Sequence, residues 1–164
     1  MPVTFNADEI LEIAVTIEQN GQAFYGRAAE IVKDEEVKKL LLDLVAWEAS
    51  HEKVFKEMRD RLATEKPGLI SFDPDGESSK YLQAIADGKI FNMKAMADEL
   101  SDMTDNPLDI LHTALSREKD SVIFFLAVKD MVPAALGRSR IHEIVEEEMS
   151  HIRYISDKIA ELGG

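Results

Sequence analysis

The sequence predicts an all-α fold, a four-helix bundle made of two antiparallel helical hairpins joined by a long crossover connection. Three observations carry that reading. Apolar residues recur at spacings of three and four through four long segments, the mark of amphipathic helices. A Glu-x-x-His pattern occurs twice, as Glu48-Ala49-Ser50-His51 and Glu148-Met149-Ser150-His151, 100 residues apart. A further glutamate stands 30 residues before each motif, Glu18 before Glu48 and Glu118 before Glu148, each inside a helical pattern of its own.

The first helix is expected over residues 7–32. Asn6-Ala7-Asp8-Glu9 reads as a capping box, with acids where the helix dipole favours them. Its apolar stripe is Ile10, Ile13, Ala14, Ile17, Phe24, Ala28 and Ile31, and Glu18, Gly21 and Tyr25 continue the stripe through its middle. A charge on the buried face is expensive unless it is paired. Asp34 is placed to cap a second helix over 35–63, whose seam runs Leu41, Leu44, Glu48, His51, Phe55, Met58 and Leu62. From 64 to 106 the texture changes. Lys66-Pro67-Gly68, Asp73-Pro74-Asp75-Gly76 and Asp87-Gly88 punctuate short apolar pieces, with short helices expected around Tyr81, Leu82 and Ile85 and around Met93, Met96, Ala97, Leu100 and Met103. Such a length carries the chain from one end of a bundle back to the other.

Asn106-Pro107 opens the third helix, a cap followed by proline at the first helical position. It is expected over 107–131 through Ile110, Leu111, Ala114, Leu115, Glu118, Val122, Phe125 and Leu126, until Pro133 breaks it. The fourth, over 137–162, carries Ile141, Ile144, Val145, Glu148, Ile152, Ile155 and Ile159. All of this is read as one domain across 1–164.

The midpoint between Glu18 and Glu48 is residue 33, and that between Glu118 and Glu148 is residue 133. Each falls on an expected turn. In an antiparallel hairpin, residues equidistant from the turn lie level, and fifteen residues at 1.5 Å each put both glutamates roughly 22 Å from it. Two hairpins packed about a pseudo-two-fold axis bring four carboxylates and two imidazoles to one place in the core.

Composition narrows the function. A net charge of −13 and a pI near 4.7 repel a nucleic-acid backbone. The absence of cysteine excludes disulfides, a thiol nucleophile and cysteine-ligated zinc, iron–sulfur or rubredoxin-type iron, and fits a reducing compartment. The first residues, Met1-Pro2-Val3-Thr4-Phe5-Asn6, show neither a basic start nor an apolar run, and no membrane span is expected. A soluble, cytoplasmic protein is expected.

On a helix, Glu-x-x-His leaves both side chains on one face, one turn apart, as a shared metal requires. Surface glutamates are the competing reading, and it fails only on the joint phasing of all four. Buried carboxylate–imidazole pairs without metal would carry several kcal/mol of desolvation per ion and leave more carboxylates than imidazoles. Two dications balance four carboxylates, so two ions are expected. Ligation rich in oxygen with one imidazole per ion suits iron or manganese, with zinc or cobalt as adventitious substitutes. Tyr25, two turns after Glu18, is placed either to reach the site with its hydroxyl or to act as an ordinary core tyrosine. Glu52, Glu146 and Glu147 fall off the motif faces and are read as solvated, His112 and His142 as exposed, and Trp47 and the methionines as packing.

These residues resemble the ferritin-like di-iron carboxylate superfamily, and most closely its rubrerythrin branch. Glu18-x-x-Gly21-x-x-Phe24-Tyr25, Glu48-x-x-His51, Glu118 and Glu148-x-x-His151 carry the resemblance, which covers the four long helices but not the long connection. It implies a ferritin-like bundle in which Glu48 and Glu148 bridge two irons, Glu18 and His51 complete one, and Glu118 and His151 complete the other. It implies further that the di-ferrous form reacts with hydrogen peroxide or dioxygen. There are two departures: no rubredoxin domain is present to feed electrons, so a separate donor protein is implied, and Ser121 stands where relatives carry an extra glutamate. Position 125 is Phe where the first helix has Tyr25.

A di-iron oxidoreductase acting on peroxide or dioxygen is thus the leading expectation, in a homodimer. Ferroxidase, iron transfer or storage is the alternative, followed by a metal-stabilised interaction module or a two-metal enzyme with another substrate.

Overall fold

The computed structural model describes residues 7–65 and 93–164, together with Glu77, Lys80 and Ala84. Five α-helices are described: α1 (Ala7–Ile31), α2 (Glu35–Glu65), α3 (Met93–Ser101), α4 (Pro107–Met131) and α5 (Arg138–Glu161). No strand occurs among the described residues. The chain is an all-α bundle, with α1 against α2 and α4 against α5 as its two hairpins. The hairpins join where α1 meets α4 and α2 meets α5. The box at Asn6 and the short helix around Tyr81 lie outside the described residues.

Both turns fall at the midpoints of the glutamate spacings. Between α1 and α2, Oδ1 of Asp34 accepts from the backbone N–H groups of Glu36 and Val37 at 3.0 Å each, the cap its position predicts. Between α4 and α5, Pro133 ends the helix and a 3₁₀ turn, Ala134–Leu136, leads into Gly137. Gly137 sits at φ 106° and ψ 33°, where a side chain is strained. Asn106 caps α4 through its side chain and the N–H of Asp109.

The core is two apolar clusters with a polar layer between them. Toward the Pro133 end lie Ile10, Leu11, Ala14, Phe55, Met58, Phe125, Val128 and Ile144; toward the Asp34 end lie Phe24, Ala28, Leu41, Leu44, Leu111 and Ile155. In every long helix the interruption falls at a polar residue of the predicted seam. Glu18, Glu48, His51, Glu118, Glu148 and His151 are the buried polar and charged side chains among the described residues. Burying them is opposed by desolvation, so the surrounding apolar burial stabilises the bundle while the layer by itself does not.

The helical phase needs correcting in a few places. Leu126 is 39% exposed, and Phe124 is buried in its stead, because α4 turns Phe124 and Phe125 together into the core beside Phe55. Leu11 and Val15 are buried on α1, where the stripe is wider than the predicted one. Met58 and Met131 pack in the core as expected, whereas Met149 faces outward. No helix among the described residues is long and apolar enough to cross a membrane.

Candidate metal centre

Each long helix delivers its polar residues at the same level. α1 brings Glu18, α2 brings Glu48 and His51, α4 brings Glu118, and α5 brings Glu148 and His151. Two groups of four emerge: Glu18, Glu48, His51 and Glu148, and Glu48, Glu118, Glu148 and His151. Within each, one ligand atom from every residue lies within 4.8 Å of the others, a spacing able to hold a metal ion. Glu48 and Glu148 belong to both groups, and so stand between the two positions.

Imidazole orientation supports the same arrangement. Nδ1 of His51 lies 2.9 Å from Oε1 of Glu148 and 3.8 Å from Oε2 of Glu18. Nδ1 of His151 lies 3.2 Å from Oε2 of Glu118, 3.3 Å from Glu148 and 3.8 Å from Glu48. Both oxygens of Glu18, both of Glu148 and Oε1 of Glu48 are buried with no well-aligned hydrogen-bond donor. Buried carboxylate oxygens are almost always satisfied, and so many orphans converging on one level match the donor set of divalent ions. Carboxylates with one imidazole per position fit iron.

Without metal, protons must balance the charge. Burial and the charge of Glu48 hold Glu18 well above the usual carboxylate range. Burial, with Glu148 beside it, pushes Glu118 up to about 8. Burial also raises Glu48, while Glu148, despite its burial, is lowered by Glu118 and the two imidazoles. Burial alone would lower both histidines, yet the carboxylates around them outweigh it: His51 is raised, and His151 reaches about 10. The metal-free layer thus holds protons more tightly than free carboxyl and imidazole groups do, with Glu148 the exception.

Tyr25 reaches the site. Its buried hydroxyl donates to Oε1 of Glu118, and burial together with Glu118 pushes the phenol well above its ordinary range, so it keeps its proton. Gly21 is where the backbone lets a carboxylate in, since a Cβ there would meet Cγ and Oε2 of Glu48 at 3.3 Å.

Three residues set aside as solvated or packing touch this layer or its margin. Glu147 is exposed, yet its Oε2 accepts from Nε2 of His51 at 2.7 Å. Trp47, 36% exposed, stacks on the His151 ring with centroids 4.6 Å apart and planes 10° apart. Glu52 is mostly covered and is held by Gln19, Gln22 and Lys56. Helical phase alone hides these contacts, because each side chain reaches sideways to a neighbouring helix. Glu146 and His142 are exposed as expected, 3.6 Å apart, and His112 is exposed.

A family model described as Rubrerythrin matches residues 9–159. A crystal structure from Thermotoga maritima, described as that of a ferritin-like diiron-carboxylate protein, superposes with a TM-score of 0.65. At 24% identity, over 96% of this chain and 97% of that one, it shows the fold. None of the curated protein sequences compared with this chain matches it.

Proposed function

The chain belongs to the rubrerythrin family, and on that premise we propose that its buried layer holds two iron ions and reduces hydrogen peroxide, or more slowly dioxygen, with electrons from a separate donor protein. One observation carries the reading: two groups of four ligands share Glu48 and Glu148, so two ions would sit side by side. Glu18 and His51 would complete one position, and Glu118 and His151 the other. A pair of ferrous ions held by these residues would supply two electrons, enough to reduce one peroxide, with two protons, to two waters.

The chain's own residues set the conditions. The apolar clusters on either side keep bulk water from the layer and strengthen its electrostatics. Tyr25, a protonated donor on Glu118, fixes a terminal carboxylate and keeps a proton at the edge of the site. No cysteine occurs in the sequence, so no thiolate centre within it relays electrons, and this reading assigns the electrons to a separate donor.

Ferroxidation with iron transfer or storage is the second reading. It is favoured by Ser121, which stands where the resemblance leads one to expect another glutamate. Stopped-flow mixing of di-ferrous protein separates the two. Much faster oxidation by peroxide than by dioxygen supports peroxide reduction. Faster oxidation by dioxygen, with ferric iron then leaving the site, rejects it in favour of iron handling.

A further inference from the structure

We infer that Glu147 is a positioning residue for His51, and that with Trp47 it makes the two metal positions unequal, the one at Glu18 and His51 binding a divalent ion more tightly. The inference rests on the reading that the layer holds two ions.

The same 100-residue offset that relates the ligands relates position 47 to position 147. Each side chain crosses to the histidine of the other hairpin. Glu147, on α5, meets His51 of α2, and Trp47, on α2, meets His151 of α5. The places match but the chemistry differs. When Nε2 of His51 donates to Glu147 at 2.7 Å, the tautomer is set and Nδ1 turns its lone pair toward Glu148 and Glu18. An indole face offers His151 packing in place of an acceptor, which holds the plane of the ring and leaves the choice of nitrogen open.

The terminal carboxylates differ in the same sense. Glu118 is engaged by the hydroxyl of Tyr25, whereas Glu18 receives no hydroxyl and faces the carboxyl group of Glu48 and, at 3.8 Å, Nδ1 of His51. Phe125, the counterpart of Tyr25, packs on Phe55 with ring centroids 5.1 Å apart and has no hydroxyl to offer. One position therefore has an oriented imidazole and a terminal carboxylate that no hydroxyl engages. The other has a packed imidazole and a carboxylate already holding a hydrogen bond.

Calorimetric titration of the metal-free full chain with zinc tests this. Wild-type protein should show two unequal steps. Glu147→Ala should weaken the tighter step by about 10- to 100-fold, the range for outer partners of metal-bound histidines. Glu147→Gln, which keeps an acceptor and loses the charge, should fall between them, and Glu146→Ala should change neither step. Imidazole resonances give a second readout in the zinc-loaded protein: a protected Nε2–H on His51 in wild type and Glu147→Gln, lost in Glu147→Ala. A merely structural role would leave that proton in place. Two equal steps in wild type, or a Glu147→Ala variant that titrates like wild type and keeps the protected proton, overturns the inference while leaving the paired site standing. Failure to bind zinc at all overturns both.

Discussion

The hydroxyl of Tyr25 donates to Oε1 of Glu118, 93 residues away in sequence, with both side chains buried. That bond ties the first hairpin to the second at the level of the site. It also distinguishes one half of the layer from the other, because Phe125 has no hydroxyl for Glu18.

Tyr25→Phe should therefore leave the layer intact and slow it. Removing a buried partner from a carboxyl group is expected to destabilise the metal-free bundle by about 1–3 kcal/mol. Two ions should still bind, and oxidation by peroxide should be slower without being abolished, since Phe125 already leaves the other half of the layer without a hydroxyl. Thermal melts and single-turnover rates check both parts.

Glu118→Ala should remove the reaction while keeping the helices. The side chain is a terminal member of one group of four and lies far from either turn, so circular dichroism should be near wild type. If the variant keeps two irons and full rate, α4 contributes nothing to the chemistry and the assignment of Glu118 fails.

Without metal, stability should fall as pH rises, and the stabilisation by metal should grow. Glu118 is raised from 4.5 to about 8, and His151 from 6.5 to about 10. The folded metal-free chain then binds more protons than the unfolded chain between those values, and loses stability as pH rises through them. Metal must displace those protons, so its stabilisation grows over the same range. The metal-free melting temperature should fall between pH 5 and 9, while the gap to the metal-loaded protein widens. Loading iron at pH 7 in weak buffer should release protons, with Glu118 and His151 among their sources. Equal melting temperatures with and without metal at pH 7 would count against buried ligands.

Much of this was legible in the sequence because burial and periodicity say the same thing in a long amphipathic helix. Glu18, Glu48, Glu118 and Glu148 sit in phase with leucines and isoleucines, and only a buried role explains that phase. Residues 33 and 133 mark both the midpoints of the spacings and the turns, and the caps at Asp34 and Asn106 follow from local hydrogen bonding. What escaped are contacts made sideways between helices. Glu147 and Trp47 are out of phase with the core, and their reach depends on the rotation of α2 against α5. The 100-residue offset alone pairs them, and it does not show that one offers a carboxylate and the other an indole. Leu126 and Phe124 exchanged roles for a similar reason: adjacent residues at the edge of a stripe differ little in pattern, and packing against Phe55 and Phe125 decides between them.

Gly21→Ala should separate folding from metal binding. Alanine favours a helix interior over glycine by about 1 kcal/mol, a gain the metal-free protein keeps if the unligated Glu48 side chain shifts by a few tenths of an ångström to clear the new Cβ. The new Cβ, at 3.3 Å from Cγ and Oε2 of Glu48, should press on a carboxylate shared by both positions and weaken iron binding. An unchanged metal-induced rise in melting temperature would show that Glu48 moves aside freely.

Four carboxylates and two imidazoles meet at one level of the core, and the paired-ion reading rests on all six. Metal analysis of protein loaded anaerobically with ferrous iron and freed of excess tests it most directly. Two irons per chain are expected, falling to about one in Glu118→Ala and to fewer than one in Glu48→Ala, because Glu48 belongs to both groups. One iron or none in the wild-type chain would contradict it.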